Sequence, residues 1–168
     1  MNSIEWAIQM LRDVHSVEEI HLILKSSARA GVNAQGVTIV QLDGGYCHYA
    51  DEDAMSPLWK GQRFPVSSCI SGWAMIHGQT VVVPDIRADD RIPQAAYRPT
   101  FVRSLVMVPI RPRSPIGAIG AYWADPHHAT ADEVATLTRL AAEADAALAR
   151  IERLHAKSAA AAAAMAEA

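Results

Sequence analysis

Apolar residues at Ile4, Ile8 and Leu11 recur at helical spacing and predict a first helix. Ser16 and Glu19 have the spacing of a capping box, in which a hydroxyl and a carboxylate each satisfy a free N–H at a helix start. A second helix is expected through Ala30, with Val17, Ile20, Leu24 and Ala28 as its apolar stripe and Gly31 closing it. Gly36 to Leu42 (GVTIVQL) predicts a strand, and Asp43-Gly44-Gly45 turns it back into a partner at Tyr46 to Ala50. Residues 51–62 are polar and punctuated by Pro57 and Gly61, which predicts a loop. Ser67 or Ser68 can cap a helix carrying Ile70, Trp73, Ala74 and His77, and Gly78 can take the left-handed conformation that ends it. Thr80 to Val83 reads as a buried strand stopped by Pro84.

Residues 85–103 are dense in charge and broken by Pro93 and Pro99, leaving room only for a short helix over Gln94 to Arg98. Ser104 to Ile110 and Ile116 to Trp123 predict two strands joined by the turn Arg111 to Pro115. Gly117, Gly120 and Ala121 leave the last strand little bulk, so a helix or ligand can approach its backbone. Thr130 and Glu133 form a second capping box. The long helix that follows carries Val134, Leu137, Ala141, Ala144, Leu148 and Ile151 on a seven-residue repeat, and Leu140, Ala147 and Leu154 widen it beyond a narrow seam, so one side is expected to pack on the sheet. Helices at both ends and hairpin-like strands between them predict an α+β sandwich around an antiparallel sheet. Residues 1–155 form one domain in this reading, and the Ala-rich 156–168 a helical connector or tail.

A chain of 168 residues, 51% of them apolar, suffices for one hydrophobic core. Its net charge of −3 with interspersed signs gives no basic stripe for nucleic acid and no polybasic membrane tether. Apolar runs fall short of the ~20 residues that span a bilayer, and the start lacks the pattern of a secretory signal. Cys47 and Cys69 make no CxxC pair, and free thiols fit a reducing cytoplasm.

The stretch RFPVSSCISGWAMIHGQTVVVPDI (63–86) followed by SLVMVPI (104–110) resembles the middle of a GAF domain, a small sensory module of bacterial signalling proteins. Similarity to the sub-type that precedes histidine kinases lies in CISGWAM, PDI, DDRIP, AYRPTFVRSL and AIGAYWA, within residues 15–150. The resemblance implies a six-stranded antiparallel sheet with terminal helices on one face and ligand-facing loops, 51–63 and 84–103, on the other. It implies a signal-input module that binds an unidentified small molecule and passes its state to an output module such as a histidine kinase. The apolar faces of the terminal helices are expected to pair across a two-fold axis into a homodimer, with Ile4, Ile8, Leu11, Leu137, Leu148 and Ile151 in the seam.

Candidate ligand contacts are Cys69, Trp73, Asp85, Tyr97, Arg98 and Arg103. Arginines converging on a pocket can hold a carboxylate or phosphate bidentately, against the plainer reading of a loop held by its own ion pairs. Cys69, expected in the first turn of a capped helix, is either a reactive thiol or a small buried hydrophobe. Cys47 and His48 are neighbours on a strand and point to opposite faces, so they do not share a metal site. GAF photoreceptors that attach a bilin carry their cysteine in the segment matching Ile92 to Ala95, which has none here, so no covalent bilin is expected. Free methionine sulfoxide reductases of this fold need thiols where this chain has Ser71 and the surroundings of Arg98. The cyclic-nucleotide signature of other relatives is absent in order. His127-His128 lacks metal-binding companions, and no catalytic motif appears. The chain is therefore read as a sensor and not an enzyme, with a ligand-free dimerisation module or a thiol-based redox protein as the rivals.

Overall fold

The computed structural model describes residues 2–168 and joins six strands into one antiparallel sheet. They are β1 (Gly36–Asp43), β2 (Tyr46–Ala54), β3 (Arg63–Pro65), β4 (Val81–Val83), β5 (Ser104–Ile110) and β6 (Gly117–Trp123), in the order β3-β2-β1-β6-β5-β4. The helices are α1 (Ser3–Asp13), α2 (Val17–Gly31), α3 (Ile70–His77), α4 (Gln94–Tyr97) and α5 (Ala131–Ala166).

Period-two alternation sends side chains from each central strand to two separate cores. Val37 and Ile39 of β1, Val106, Val108 and Ile110 of β5, and Ile119 and Ala121 of β6 meet the terminal helices. Leu105 and Met107 of β5, and Ala118 and Tyr122 of β6, face the opposite side, where α3, α4 and the irregular segments lie. Central strands buried on both faces explain the nearly unbroken apolar runs of β5 and β6.

Both side-chain caps form, but only the second is a reciprocal capping box: the Glu133 carboxylate accepts from the Thr130 N–H at 2.9 Å, whereas the Glu19 carboxylate accepts from the His15 N–H at 2.8 Å. Ser16 Oγ accepts from the Glu19 N–H at 3.2 Å, and Thr130 Oγ1 from the Glu133 N–H at 3.1 Å. α2 ends one residue beyond its glycine: Val32 is the cap residue, and Asn33 takes the left-handed conformation at φ 50°. The start of α3 also differs from expectation. Val66–Ser68 is a 3-10 turn, so the capping position falls to Cys69, whose side chain makes no capping bond. Gly78 ends α3 at φ 60°, as its sequence position predicts. β2 runs on to Ala54, past the predicted Ala50, and a register irregularity opposite Ile39 and Val40 absorbs the extra residue.

The structure places the residues expected in the dimer seam within or against the chain's own core. Ile8, Leu11, Leu137 and Ile151 belong to the chain's own core at 0–2% exposure, and Ile4 and Leu148 pack against its edge. Their apolar stripe packs α2 and α5 on the sheet and α1 against those two helices. Arg150 reinforces that layer by donating to the carbonyls of Leu11 (3.2 Å) and Val14 (2.8 Å) at the end of α1. Past Ile151 every residue of α5 is exposed, so its last turns stand clear of the sheet.

Candidate functional site

The side of the sheet away from the terminal helices is where the loops gather, and aromatic rings fill it. β2 presents Cys47 and Tyr49 there, two residues apart on one face. Tyr122 reaches up from β6, and the loop after β2 folds Trp59 over them. The Trp59 indole makes edge-on contacts with Tyr49 (5.6 Å), Tyr97 (4.7 Å) and Tyr122 (5.5 Å). Phe64 of β3 packs edge-on against Tyr49 at 5.5 Å. Such arrangements set the positive ring edge against the negative face and favour this packing over parallel stacking.

Polar groups under this layer are matched. The Tyr122 hydroxyl bonds Thr38 Oγ1 at 2.9 Å, and the Tyr49 hydroxyl bonds Ser71 Oγ at 3.0 Å. Burial pushes the Tyr49, Tyr97 and Tyr122 phenols above their ordinary range, so all three are neutral near neutral pH. Gly120 makes room for the Tyr122–Thr38 bond, since a Cβ there would fall on the Tyr122 hydroxyl.

Specific clamps hold the covering loops. The Glu52 carboxylate accepts from three successive backbone N–H groups, those of Leu58 (2.9 Å), Trp59 (2.9 Å) and Lys60 (2.7 Å). Trp59 Nε1 donates to the Ala96 carbonyl at 3.0 Å and joins the first loop to α4. In the second loop, Arg103 grips Asp85 through Nε (3.0 Å) and Nη2 (3.1 Å), and Arg91 grips Asp89 through Nε (3.0 Å) and Nη2 (2.6 Å). Those bonds hold both carboxyls below the ordinary carboxylate range.

Between rings and loops remains a cavity of about 60 Å³, bounded by Tyr49, Trp59, Phe64 and Tyr97 with Ser68, Cys69, Pro93 and Ala96. Liquid water occupies about 30 Å³ per molecule and small-molecule sites roughly 300–1,000 Å³, so this space holds a water or two and no metabolite. Trp59 thus fills the middle of the predicted ligand side, and the larger space there is an open groove of about 340 Å³ between α3 and the second loop.

Of the candidate contacts, Tyr97 and Cys69 line this cavity. Asp85 and Arg103 do not converge on it; they satisfy each other, the plainer of the two readings. Arg98 is exposed on the outer end of α4 and contributes nothing to the cavity wall. Trp73 lies on the outer face of α3, stacked on His77 at 3.9 Å and covered by the Arg91 guanidinium at 4.7 Å. It borders a separate open groove shared with Ser67, Cys69 and Asp90. His127 bonds the Glu133 carboxylate at 2.9 Å. Among the described residues no group of three or more His, Cys, Asp or Glu is set to hold a metal, and no helix is long and apolar enough to cross a membrane.

Sequence reasoning missed Trp59, Tyr49, Phe64 and Tyr122 as the filling of this side. The i, i+2 spacing of Cys47 and Tyr49 on β2 was the available signal. A large aromatic beside Pro57 in an otherwise polar loop was another. It also missed that Cys47 and Cys69 share this core, where Ser71 Oγ donates to Cys69 Sγ at 3.4 Å and Cys69 Sγ donates to the Pro65 carbonyl at 3.5 Å.

Comparison with known proteins agrees with this geometry. No curated protein matches the sequence. Among solved structures, the GAF domain from an Acinetobacter phosphoenolpyruvate-protein phosphotransferase is similar at TM-score 0.78 and 14% identity, covering 91% of this chain and 94% of that one. Free methionine-R-sulfoxide reductase from Neisseria meningitidis, solved with its substrate, is similar at TM-score 0.78 and 18% identity over 90% and 89%. A domain of a putative two-component sensor histidine kinase from Sinorhizobium meliloti aligns at TM-score 0.67 and 13% identity over 86% and 98%. At these identities the likeness is one of fold alone. A family model described as "GAF domain" matches residues 14–149, most of the sequence, and the chain belongs to the GAF domain family.

Proposed function

We propose that this chain is a cytoplasmic signal-input module. A small molecule enters the aromatic layer beneath residues 55–62 and 84–103, and the change in packing passes through the terminal helices to an output module, with a histidine kinase the expected one. One observation carries this reading: the sheet divides the molecule into an aromatic side roofed by irregular backbone and a helical side. The helical side ends in α5, which runs clear of the core from Glu152 to Ala166. A ligand that favours one packing of the aromatic side shifts the population of the whole sheet by its difference in affinity for the two packings.

The ligand takes the place of the Trp59 indole, because the resting cavity of about 60 Å³ admits nothing of metabolite size. A flat, mostly apolar molecule suits ring edges and faces of this kind. Catalysis, nucleic acid and membrane have no part in the reading. Homodimerisation remains part of it, moved to the outward face of the terminal helices, where Trp6, Met10, Leu22 and Leu154 are exposed.

The same closed cavity favours a second reading, a ligand-free module that only pairs and couples subunits. Native mass spectrometry of protein purified without denaturation separates the two. The sensor reading expects a non-covalent adduct of up to one per chain that is lost on denaturation. Bare chains in every preparation, with no thermal shift across a panel of flat heteroaromatic compounds, would leave the ligand-free module.

A further inference from the structure

The small cavity beside Trp59 and the open groove outside α3 are divided by one partition. Ser68, Cys69 and Pro93 line both the cavity of about 60 Å³ and the groove of about 340 Å³. Ser68 and Cys69 belong to the turn that leads into α3, and Pro93 stands at the cap position of α4. The groove reaches the lower end of the roughly 300–1,000 Å³ found for small-molecule sites, which the inner cavity does not.

Bonds across the partition are few. The roof beside it is fixed by three N–H bonds to Glu52 and by the Trp59–Ala96 bond. Among the described residues, by contrast, no hydrogen bond joins residues 66–73 to residues 90–97. Cys69 Sγ bonds only within its own segment, to the Pro65 carbonyl and Ser71 Oγ, and Pro93 has no N–H to give. What spans the gap is the Arg91 guanidinium over the Trp73 ring at 4.7 Å. Arg91 is exposed and bonded to Asp89, so parting that contact leaves no buried polar group unpaired. The charge left over in the groove is negative. Arg91 and Asp89 satisfy each other, whereas Asp90 is exposed and makes no ion pair among the described residues. A ligand ammonium group finds there an unpaired carboxylate and an aromatic ring that already carries a cation on its face. A ligand carboxylate meets the repulsion of Asp90.

We propose that this groove is the mouth of the ligand site and that the ligand is a flat aromatic amine. Its ammonium group stays outside, at Asp90 beside Trp73. Its ring passes between Cys69 and Pro93 and takes the place of the Trp59 indole among the tyrosines. Entry then parts the start of α3 from the second loop, so the helix and its strand contacts feel the occupant directly. The inference rests on the sensor reading above and names its entrance and its ligand class.

The test follows the indole N–H resonances of the full chain, labelled with nitrogen-15, through titrations with tryptamine and indole-3-acetate at neutral pH. These probes share one flat ring and carry opposite charges. Tryptamine should move the Trp73 and Trp59 resonances along one saturation curve and leave Trp6, on α1 behind the sheet, in place. Indole-3-acetate should bind about fivefold more weakly or worse, and Asp90→Asn should bring the two probes within about twofold. Ser68→Tyr puts a ring into the partition from an exposed position and should abolish both shifts. Ser67→Tyr is the second blocking variant, and circular dichroism reports whether each is folded. A Trp59 shift without a Trp73 shift puts the entrance beneath the roof: the proposal falls and the sensor reading stands. A Trp73 shift alone leaves the ring outside and overturns it, as does equal affinity for the two probes. No shift at either ring also overturns it, and the native mass measurement then decides the sensor reading by itself.

Discussion

Replacing Trp59 with alanine tests the closed aromatic layer directly. The indole is 5% exposed and touches three other rings edge-on, at 5.6, 4.7 and 5.5 Å. Its Nε1–H is bonded to the Ala96 carbonyl at 3.0 Å. Truncation of a buried Trp to Ala costs about 3–5 kcal/mol, made of lost transfer energy and a cavity contribution. The lost hydrogen bond accounts for roughly 1 kcal/mol of that. Each edge-on contact is worth about 0.5–1.5 kcal/mol beyond area, and the three share one ring and do not add. The expected loss is therefore about 4 kcal/mol, read as a lower urea midpoint at unchanged slope in far-ultraviolet circular dichroism. The void left joins the existing cavity of about 60 Å³ and accepts a small ring. Indole should then stabilise the variant in proportion to ln(1 + [L]/Kd) and wild type far less, because in wild type a ring must first displace Trp59. A loss under about 1 kcal/mol, or equal response of both proteins to indole, would refute the account of Trp59 as a packed plug.

Gly72→Ala should destabilise strongly, because a Cβ there meets backbone, with Val66 C at 2.5 Å and Cα at 2.7 Å. Overpacking usually costs about 1–3 kcal/mol, and with no side chain able to rotate away the upper end is expected in a urea melt. Gly45→Ala, whose Cβ meets nothing within 4 Å, is the control and should cost little. Acid should loosen the second loop. Hydrogen bonds from Arg103 to Asp85 and from Arg91 to Asp89 hold both carboxyls low, so their contribution is complete above an unfolded pKa of about 4. It is lost as pH falls through the depressed folded values. Thermal melts between about pH 5 and pH 2 should show a flatter acid dependence in an Asp85→Asn, Asp89→Asn double variant, and an unchanged slope would refute that assignment.

The terminal layers were legible because their chemistry is local. Both N-caps depend on residues three apart, and the α5 stripe on one repeat. Gly78 ends α3 through a conformation that its own sequence position predicts. The widened stripe pointed one side of α5 to the sheet, but how the row divides between sheet and partner was not legible. A heptad-like row of Leu137, Ala144 and Ile151 looks the same whether it meets a second copy or the chain's own sheet, and here the sheet takes it. On the other side, charge density pointed to Arg98 and Arg103, but arginines near aspartates pair as readily with each other as with a ligand. The aromatic layer draws Tyr49, Trp59, Tyr97 and Tyr122 from four separate segments. Such juxtapositions are products of strand order, which hydrophobic periodicity does not encode.

Native-state hydrogen exchange of the ligand-free chain is the most direct test of a sensor whose aromatic side must open. The Leu58, Trp59 and Lys60 amides, bonded only to the Glu52 carboxylate, report opening of the roof. Amides paired between β5 and β6 report unfolding of the sheet. The account predicts that the roof exchanges through a sub-global opening well below the global unfolding free energy, while the β5–β6 amides exchange only at the global value. Identical opening free energies for roof and sheet would mean one rigid body with no entrance, and would contradict it.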